Sequence, residues 1–332
     1  MPLLASKTNM QDLVGVYLDS NHPPLPRQTY QIITAPYEYV VSLPSKGRRD
    51  LFTDALNRWL KVSESDTRGI KQIVDTLHNA SIMVDDIQDE SSQRRGRSST
   101  HMVFGIAQTI NSAMFSINEA ISRAQRLCGS EGVQVVIDEL STLYTGQSYD
   151  IHSSQNMSCP TVEEYIRTID GKTGGLFELN ARLMVLMTPT KIDYAILRRL
   201  VILLGRYYQL RDDYNGIQQP VSDKQKAQQL ATPWCEDLDG GKYTLPLIHL
   251  LNSGEEEHLI KSVLSMRHAT GKMEDAAKYG ILERLQRAGS LEYTSNILEV
   301  VHQELVEELD RVSVSLGFEN PEMRLLIDML KK

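Results

Sequence analysis

Ile70, Ile73, Val74, Leu77, Ala80, Val84 and Ile87 recur at steps of three and four, a spacing that gathers them on one side of an α-helix and of no strand. The predicted helix runs over 66–89 and ends in three acids, Asp85, Asp86 and Asp89, with Arg94 and Arg95 following in a predicted loop over 91–99. Asp85 and Asp89 lie one turn apart on one face. Two carboxylates so placed repel unless a cation sits between them, and Mg²⁺, which is held by one or two carboxylates plus phosphate oxygens, is the natural partner. The arginines offer planar, permanently charged forks to the same phosphates. A merely solvated acidic face would carry the same letters. His78, seven residues before Asp85, and Ser81 between them fall on nearly the same stripe, roughly 10 Å along the axis for the full span.

A second helix repeats the pattern. Ile196, Leu197, Leu200, Val201, Leu204, Tyr207 and Tyr208 lead into Gln209, Asp212 and Asp213, and Gln209 can share the face of both aspartates. Two apolar helices ending in acids can face each other across a bundle and bring their carboxylates onto common cations. Between them lies Lys172-Thr173-Gly174-Gly175, where a glycine pair lets backbone N–H groups and a lysine approach a phosphate, although it lacks P-loop spacing. Gly146-Gln147 and Asp150 interrupt a helix with polar residues, which reads equally as a kink or as a functional face. Lys242 follows the acidic, glycine-rich turn 236–241 and could reach a site phosphate.

The remaining chain reads as helix almost throughout: 36–42, 46–60, 102–127, 131–153, 161–170, 174–188, 192–216, 244–252, 255–267, 272–287, 290–316 and 321–331. Period-two alternation is absent, so the fold class is all-α: a single helical bundle over 31–332 around a deep central cavity, after a partly irregular segment 1–30. Gln218–Thr232 is the best candidate for a mobile loop. A net charge of −8 argues against nucleic-acid binding. Three separated cysteines, Cys128, Cys159 and Cys235, imply a reducing compartment. Neither a secretory signal nor a membrane anchor is evident, and the expected location is cytoplasmic.

LHNASIMVDDIQDESSQRRGRSSTH, GQSYDI, KTGGLF, QLRDDYNG and CEDLDGGKYTLPLIH, in that order, resemble the trans-isoprenyl diphosphate synthases, most closely geranylgeranyl diphosphate synthases of the animal and fungal type. The resemblance runs from about Tyr37 to Leu330. It implies an isoprenoid-synthase-type bundle assembled as a homo-oligomer, a dimer or hexamer. The implied reaction joins isopentenyl diphosphate head-to-tail to dimethylallyl, geranyl or farnesyl diphosphate. By resemblance, Asp85, Asp89 and Asp212 bind three Mg²⁺, supported by Asp86 and Asp213. Arg94, Lys172 and Lys242 contact the allylic diphosphate. Lys46, Arg49, His78 and Arg95 hold isopentenyl diphosphate, and Thr173 and Gln209 lie beside the reacting carbons. Product length is expected to follow from Ala80 and Ser81, both small where fifteen-carbon synthases carry aromatics, and from a deeper floor at Met114, Phe115, Ser116, Ile117 and Tyr144. Twenty carbons are expected, with twenty-five as the alternative.

Three positions depart from the family pattern. Gly216 stands where many relatives have Asp. The basic motif reads Ser45-Lys46-Gly47-Arg48-Arg49. Thr232 and Pro233 replace the usual Lys before CEDL, leaving Lys226 or Lys224 to substitute. Rival readings are a class I terpene cyclase, whose N-D-x-x-S-x-x-x-E motif is missing, and a non-catalytic partner subunit, which would have lost the acids that are intact here. Fungal bifunctional terpene synthases carry a similar prenyltransferase domain, so the chain could also be part of a longer protein.

Overall fold

The computed structural model describes residues 27–45, 47–217, 235–254, 257–271 and 273–331. In order, its main elements are α1 (Arg27–Ser42), α2 (Arg48–Leu60), α3 (Glu64–Gln88), a hairpin of β1 (Gln93–Arg94) and β2 (Arg97–Ser98), α4 (Thr100–Phe104) and α5 (Ile106–Gln155). There follow α6 (Val162–Ile169), a π-helical turn (Asp170–Gly174), α7 (Gly175–Met187), α8 (Ala195–Ile217) and α9 (Glu236–Gly240). The chain closes with α10 (Leu245–Asn252), α11 (Glu257–Thr270), α12 (Asp275–Arg287), α13 (Ser290–Leu316) and α14 (Pro321–Lys331). The all-α expectation holds, and among the described residues no helix is long and apolar enough to cross a membrane.

Three apolar clusters hold the bundle. The largest joins Phe52 and Leu56 of α2, Ile70, Ile73 and Leu77 of α3, Leu179 and Leu183 of α7, Leu200 and Leu204 of α8, Leu305 of α13 and Ile327 of α14. The apolar stripe that ends in Asp85 is therefore anchored in the centre of the molecule. A second cluster packs Tyr165 and Ile169 of α6 with Leu210 of α8, Leu238 of α9 and Leu247 and Ile248 of α10. A third lays Val40 of α1 and Leu43 just after it over Ala80 and Met83 of α3 and Ala113 of α5. α3 lies along α5, α5 along α7, and α8 along α13.

Several local features differ from the sequence expectation. The first helix starts at Arg27, not Pro36, and carries Pro36 inside it. Proline has no N–H to give to the carbonyl four residues back, and Gln108 Nε2 of α5 donates to that carbonyl, Ile32 O, at 3.0 Å instead. The expected loop 91–99 contains a two-stranded hairpin whose turn places Arg95 (φ 53°) and Gly96 (φ 75°) in the left-handed region, as a tight hairpin turn demands. The expected helices 102–127 and 131–153 form one run broken at Gly129 (φ 68°, ψ −158°), after a short first helix that ends at Gly105. No kink occurs at Gly146-Gln147; α5 passes through them as regular helix. The acidic turn 236–241 contains the short helix α9. Lys46, Lys224, Lys226, Thr232, Pro233 and the candidate loop Gln218–Thr232 lie outside the described residues.

Candidate active site

The C-terminal end of α3, the last turns of α5, the π turn, the end of α8 and the segment after α9 meet at one place. Asp85 Oδ1 lies 3.0 Å from Lys172 Nζ and accepts from Gln147 Nε2 at 3.0 Å. Lys172 also donates to Asp150 Oδ2 at 2.7 Å. Lys242 Nζ lies 2.7 Å from Asp89 Oδ2 and 3.9 Å from Asp237 Oδ1. Asp85 on the last turn of α3 and Asp89 at its C-terminal cap thus each face a lysine from a different element. Asp86 points away from them, fully buried, and takes the Arg94 guanidinium through Nε at 2.8 Å and through a second, shorter bond. That pair fixes β1 to α3 and leaves Arg94 3.6 Å from Asp85.

The π turn depends on glycine. A Cβ on Gly146 would sit 2.5 Å from Lys172 N and 2.9 Å from Gly171 Cα. A Cβ on Gly171 would sit 2.8 Å from Thr142 O, and one on Gly205 would sit 3.0 Å from Gly174 Cα. Backbone therefore packs on backbone from α5 through the π turn to α8, and this sets the depth at which Lys172 and Thr173 enter the site. Single π turns of this kind interrupt helices at functional places.

Thr173 Oγ1 donates to Gln209 Oε1, and Gln209 Nε2 donates to Asp213 Oδ1 at 2.6 Å. Asp212, by contrast, is exposed at the end of α8, with Asp213 behind it. Lys172, Thr173, Gln209, Asp213, Asp237 and Lys242 line a cavity of about 70 Å³.

Charge is unevenly matched here. Burial opposes ionisation of Asp85, yet Lys172, Lys242 and Arg94 hold its carboxyl well below the usual range. Burial pushes Asp86 up to about 6 and Asp237 up to about 6. Burial and the neighbouring Asp237 push Asp213 up to about 8. Asp85, Asp89, Asp150, Asp212, Asp213, Glu236 and Asp237 together outnumber Lys172, Lys242 and Arg94. Asp89 Oδ2 is buried with no aligned hydrogen-bond donor. An all-carboxylate donor set with surplus negative charge suits a hard divalent cation such as Mg²⁺. Asp85 and Asp89 are turned to Lys172 and Lys242, and among the described residues no three carboxylates or histidines stand together in metal-holding positions.

The raised carboxyls also make a pH prediction. A carboxyl whose folded pKa lies above its unfolded value adds stability that is full below the unfolded pKa and lost as pH rises through the folded one. For Asp213 the loss ends near about 8, so metal-free protein should melt lower at about pH 8 than at about pH 6.5. Excess Mg²⁺ should flatten that slope by stabilising the ionised carboxylates. Thermal melts at the two pH values test this, and a higher melting point at the upper pH would contradict it.

A basic cluster lies on the other side of Arg94. Burial first, then Arg49, Arg95 and Arg94, depress the His78 imidazole well below its usual range. Burial, then Arg49 and Arg94, lower Arg95. Arg49 has Asp75 at 3.5 Å, and the Arg48 guanidinium lies 5.6 Å from the Tyr208 ring centre. Cations that press on one another in this way form a receptor for an anion. Arg49, His78 and Arg95 are brought together, and Arg94, expected with Lys172 and Lys242, lies between this cluster and Asp85. Arg48 joins them, as do Gln147, Asp150 and Asp237 at the acidic end. Gln147 and Asp150 were visible in the sequence as polar positions three apart on α5. Asp237 lay within a motif read only for its lysine.

Ser81 shares the partly open stripe with His78 and Asp85 and bonds back to His78 O at 2.8 Å. Ala80 is fully buried in the seam beneath α1, and Ile117 packs there too. Ser116 is buried and donates to Ser112 O at 2.9 Å, while Phe115 meets the Tyr30 ring edge-on at 5.9 Å. Tyr144 and Met114 do not join this wall: they are 50% and 60% exposed on the outside of α5. Leu143, Gly146 and Gln147 take the inward positions near Tyr144.

A family model described as polyprenyl synthetase matches residues 30–280. The bifunctional type I diterpene synthase tndC of Aspergillus flavipes is 41% identical over 91% of this chain and 39% of its own length. The preasperterpenoid A synthase PvPS of Talaromyces verruculosus is 42% identical over 99% of this chain and 41% of its own. The bifunctional sesterterpene synthase astC of Talaromyces wortmannii is 43% identical over 98% of this chain and 42% of its own. The chain thus spans about two fifths of the length of these relatives.

Proposed function

The chain belongs to the polyprenyl synthetase family, and from that premise we propose that it is a Mg²⁺-dependent prenyltransferase that joins isopentenyl diphosphate head-to-tail to an allylic diphosphate. One observation carries this reading. Acids from α3 and α8 and lysines from the π turn and the segment after α9 converge on one side of Arg94, and Arg49, His78 and Arg95 converge on the other. Two diphosphates need two such places.

Mg²⁺, three ions by family resemblance, would neutralise the allylic diphosphate as it departs. Asp85, Asp89 and Asp212 would hold the metal. Lys172, Lys242 and Arg94 would turn from their carboxylates to the phosphate oxygens. Arg49, Arg95 and neutral His78, with Lys46, would orient isopentenyl diphosphate. The allylic C1–O bond breaks, and a C–C bond forms from C1 to the terminal alkene carbon of isopentenyl diphosphate. The proton lost from the adjacent carbon passes to the released diphosphate. Thr173 and Gln209 face the reacting carbons, and no protein nucleophile is needed.

Product length is the finer question. The small residues at Ala80 and Ser81 favour growth beyond fifteen carbons. The names of relatives, two of them sesterterpene synthases, favour twenty-five carbons over the twenty expected from sequence. Twenty remains a second reading, favoured by the diterpene synthase relative. Incubation with Mg²⁺, isopentenyl diphosphate and farnesyl diphosphate, read by mass, tests both: no elongation rejects the enzyme, and a purely twenty-carbon product rejects the longer reading. In the same assay Ser81→Phe should fill the open stripe below Asp85 and shift the main product to fifteen carbons when geranyl diphosphate is the primer. An unchanged product profile would remove Ser81 from the wall. Homo-oligomerisation is supported by Ile106, Ile110 and Met114, exposed apolar residues at steps of four on α5, which a second copy would bury together with the exposed Met102 of α4.

A further inference from the structure

Lys242 stands in the site, but the segment that carries it is fastened from outside. α9 is five residues long and ends at Gly241, whose left-handed φ of 69° reverses the chain. Lys242 N then donates back to Asp237 O at 2.8 Å. A helix this short is not stable by itself, and three longer ones hold it. Ser154 Oγ of α5 donates to Gly240 O at 3.1 Å. Arg267 of α11 donates through Nε to Asp239 O. Lys278 Nζ of α12 donates to Asp239 Oδ2 at 2.6 Å, and Met273 N, between α11 and α12, donates to Oδ1 at 3.2 Å.

Lys278 and Arg267 are 6% and 9% exposed. Cations are seldom buried so far, and an apolar contact of similar volume would hold two elements together as well or better. What the charged contact adds is a fixed direction and distance. Both cations fall on Asp239, three positions before Lys242. Gly241 lies between, and a Cβ there would stand 3.0 Å from Arg267 Nη1 and 3.3 Å from Ser154 Oγ, so the chain reversal is seated on the same arginine. Asp237 and Lys242 line the site cavity, whereas Asp239, Arg267 and Lys278 do not. The short helix therefore turns one acid to the site and another to its mount.

We propose that Lys278 is a positioning residue: by holding Asp239 it fixes α9, and with it the reach of Lys242 Nζ, 2.7 Å from Asp89 Oδ2, toward the allylic diphosphate. The kinetic consequence rests on the prenyltransferase reading, and the local one does not. Lys278→Met keeps most of the buried stem and leaves Asp239, whose side chain is 29% exposed, in contact with water. In ligand-free protein, hydrogen exchange read by mass should quicken at the amides of residues 238–242 and stay unchanged along α3. In steady-state assays Lys278→Met should lower kcat/KM for farnesyl diphosphate by about tenfold, with KM for isopentenyl diphosphate within about twofold, because Arg49, His78 and Arg95 do not hang from α9. In a Lys242→Met background it should cost nothing further. A loss shared by both diphosphates, a loss that adds to that of Lys242→Met, an unchanged kcat/KM or unchanged exchange would each overturn the proposal. Should Lys278→Met not fold, the double variant Asp239→Asn/Lys278→Met, which removes both charges together, takes its place; if that fails to fold as well, the pair serves stability alone and the proposal falls. Inactive wild type with the expected exchange difference would reject the prenyltransferase reading and leave the mount standing.

Discussion

Asp85→Asn should lower kcat/KM for prenyl transfer by about a thousandfold or more while leaving the fold intact. The carboxylate sits between Lys172 at 3.0 Å and Arg94 at 3.6 Å, and those cations with Lys242 keep it ionised against burial. Asparagine has the same shape, and its carbonyl can keep the bond from Gln147 Nε2 at 3.0 Å. Lys172 retains Asp150 at 2.7 Å, so no buried cation is stranded and the melting temperature should move little. What is lost is one negative charge at the point where a divalent cation and a diphosphate must meet. Metal ions of this kind contribute several kcal/mol to charge stabilisation in the transition state, which corresponds to the size given. Steady-state assays across a Mg²⁺ titration provide the measurement. A variant within about tenfold of wild type at saturating Mg²⁺ would remove Asp85 from the metal site.

Gly146→Ala should reverse the usual sign of a glycine-to-alanine change in a helix. In an open helix the change gains about 1 kcal/mol, and Gly280→Ala on α12 should show that gain, since the added Cβ would meet only the tip of Arg284 at 3.3 Å. At Gly146 the added Cβ would stand 2.5 Å from Lys172 N and 2.9 Å from Gly171 Cα. These are backbone atoms of a turn that Gly171, Gly174 and Gly205 already hold at close approach, so nothing flexible can yield. Overpacking of this kind costs about 1–3 kcal/mol, and the turn must shift outward. Lys172 would then leave Asp85 and Thr173 would leave Gln209, and a displacement of about 1 Å can cost about a hundredfold in rate. Parallel melts and assays of the two alanine variants check this. A stable, active Gly146→Ala protein would mean that the backbone contact tolerates expansion.

The sequence carried most of the site because its acids close apolar helices. Once Ile70–Leu77 and Leu197–Leu204 are assigned to the core, helical geometry places Asp85, Asp89 and Asp212–Asp213 at the same end. The parts that stayed hidden depend on pairings that no local pattern encodes. Pro36 reads as a helix start, yet the helix runs through it because the carbonyl it leaves unpaired, Ile32 O, finds Gln108, 76 residues later in the chain and on another helix. Arg95-Gly96 reads as loop because a two-residue hairpin this short has no alternation to display. Gln147 and Asp150 are visible but ambiguous, since only the fold shows that α5 passes through Gly146 as regular helix and turns both toward Asp85 and Lys172. Tyr165 left no trace: one aromatic on the buried side of a short amphipathic helix looks like core, and its hydroxyl gains meaning only from Asp213, 48 residues later.

Lys172 and Lys242 rest on Asp85 and Asp89, the carboxylates proposed to carry metal. An incoming ion therefore competes with a tethered ammonium group, and an incoming diphosphate competes with a carboxylate for the same ammonium. Each ligand releases what the other must displace. Metal and diphosphate should then tighten each other's binding by the same factor, as thermodynamic reciprocity requires. A pocket wired this way stays electrically closed to either ligand alone and opens to the two as a pair.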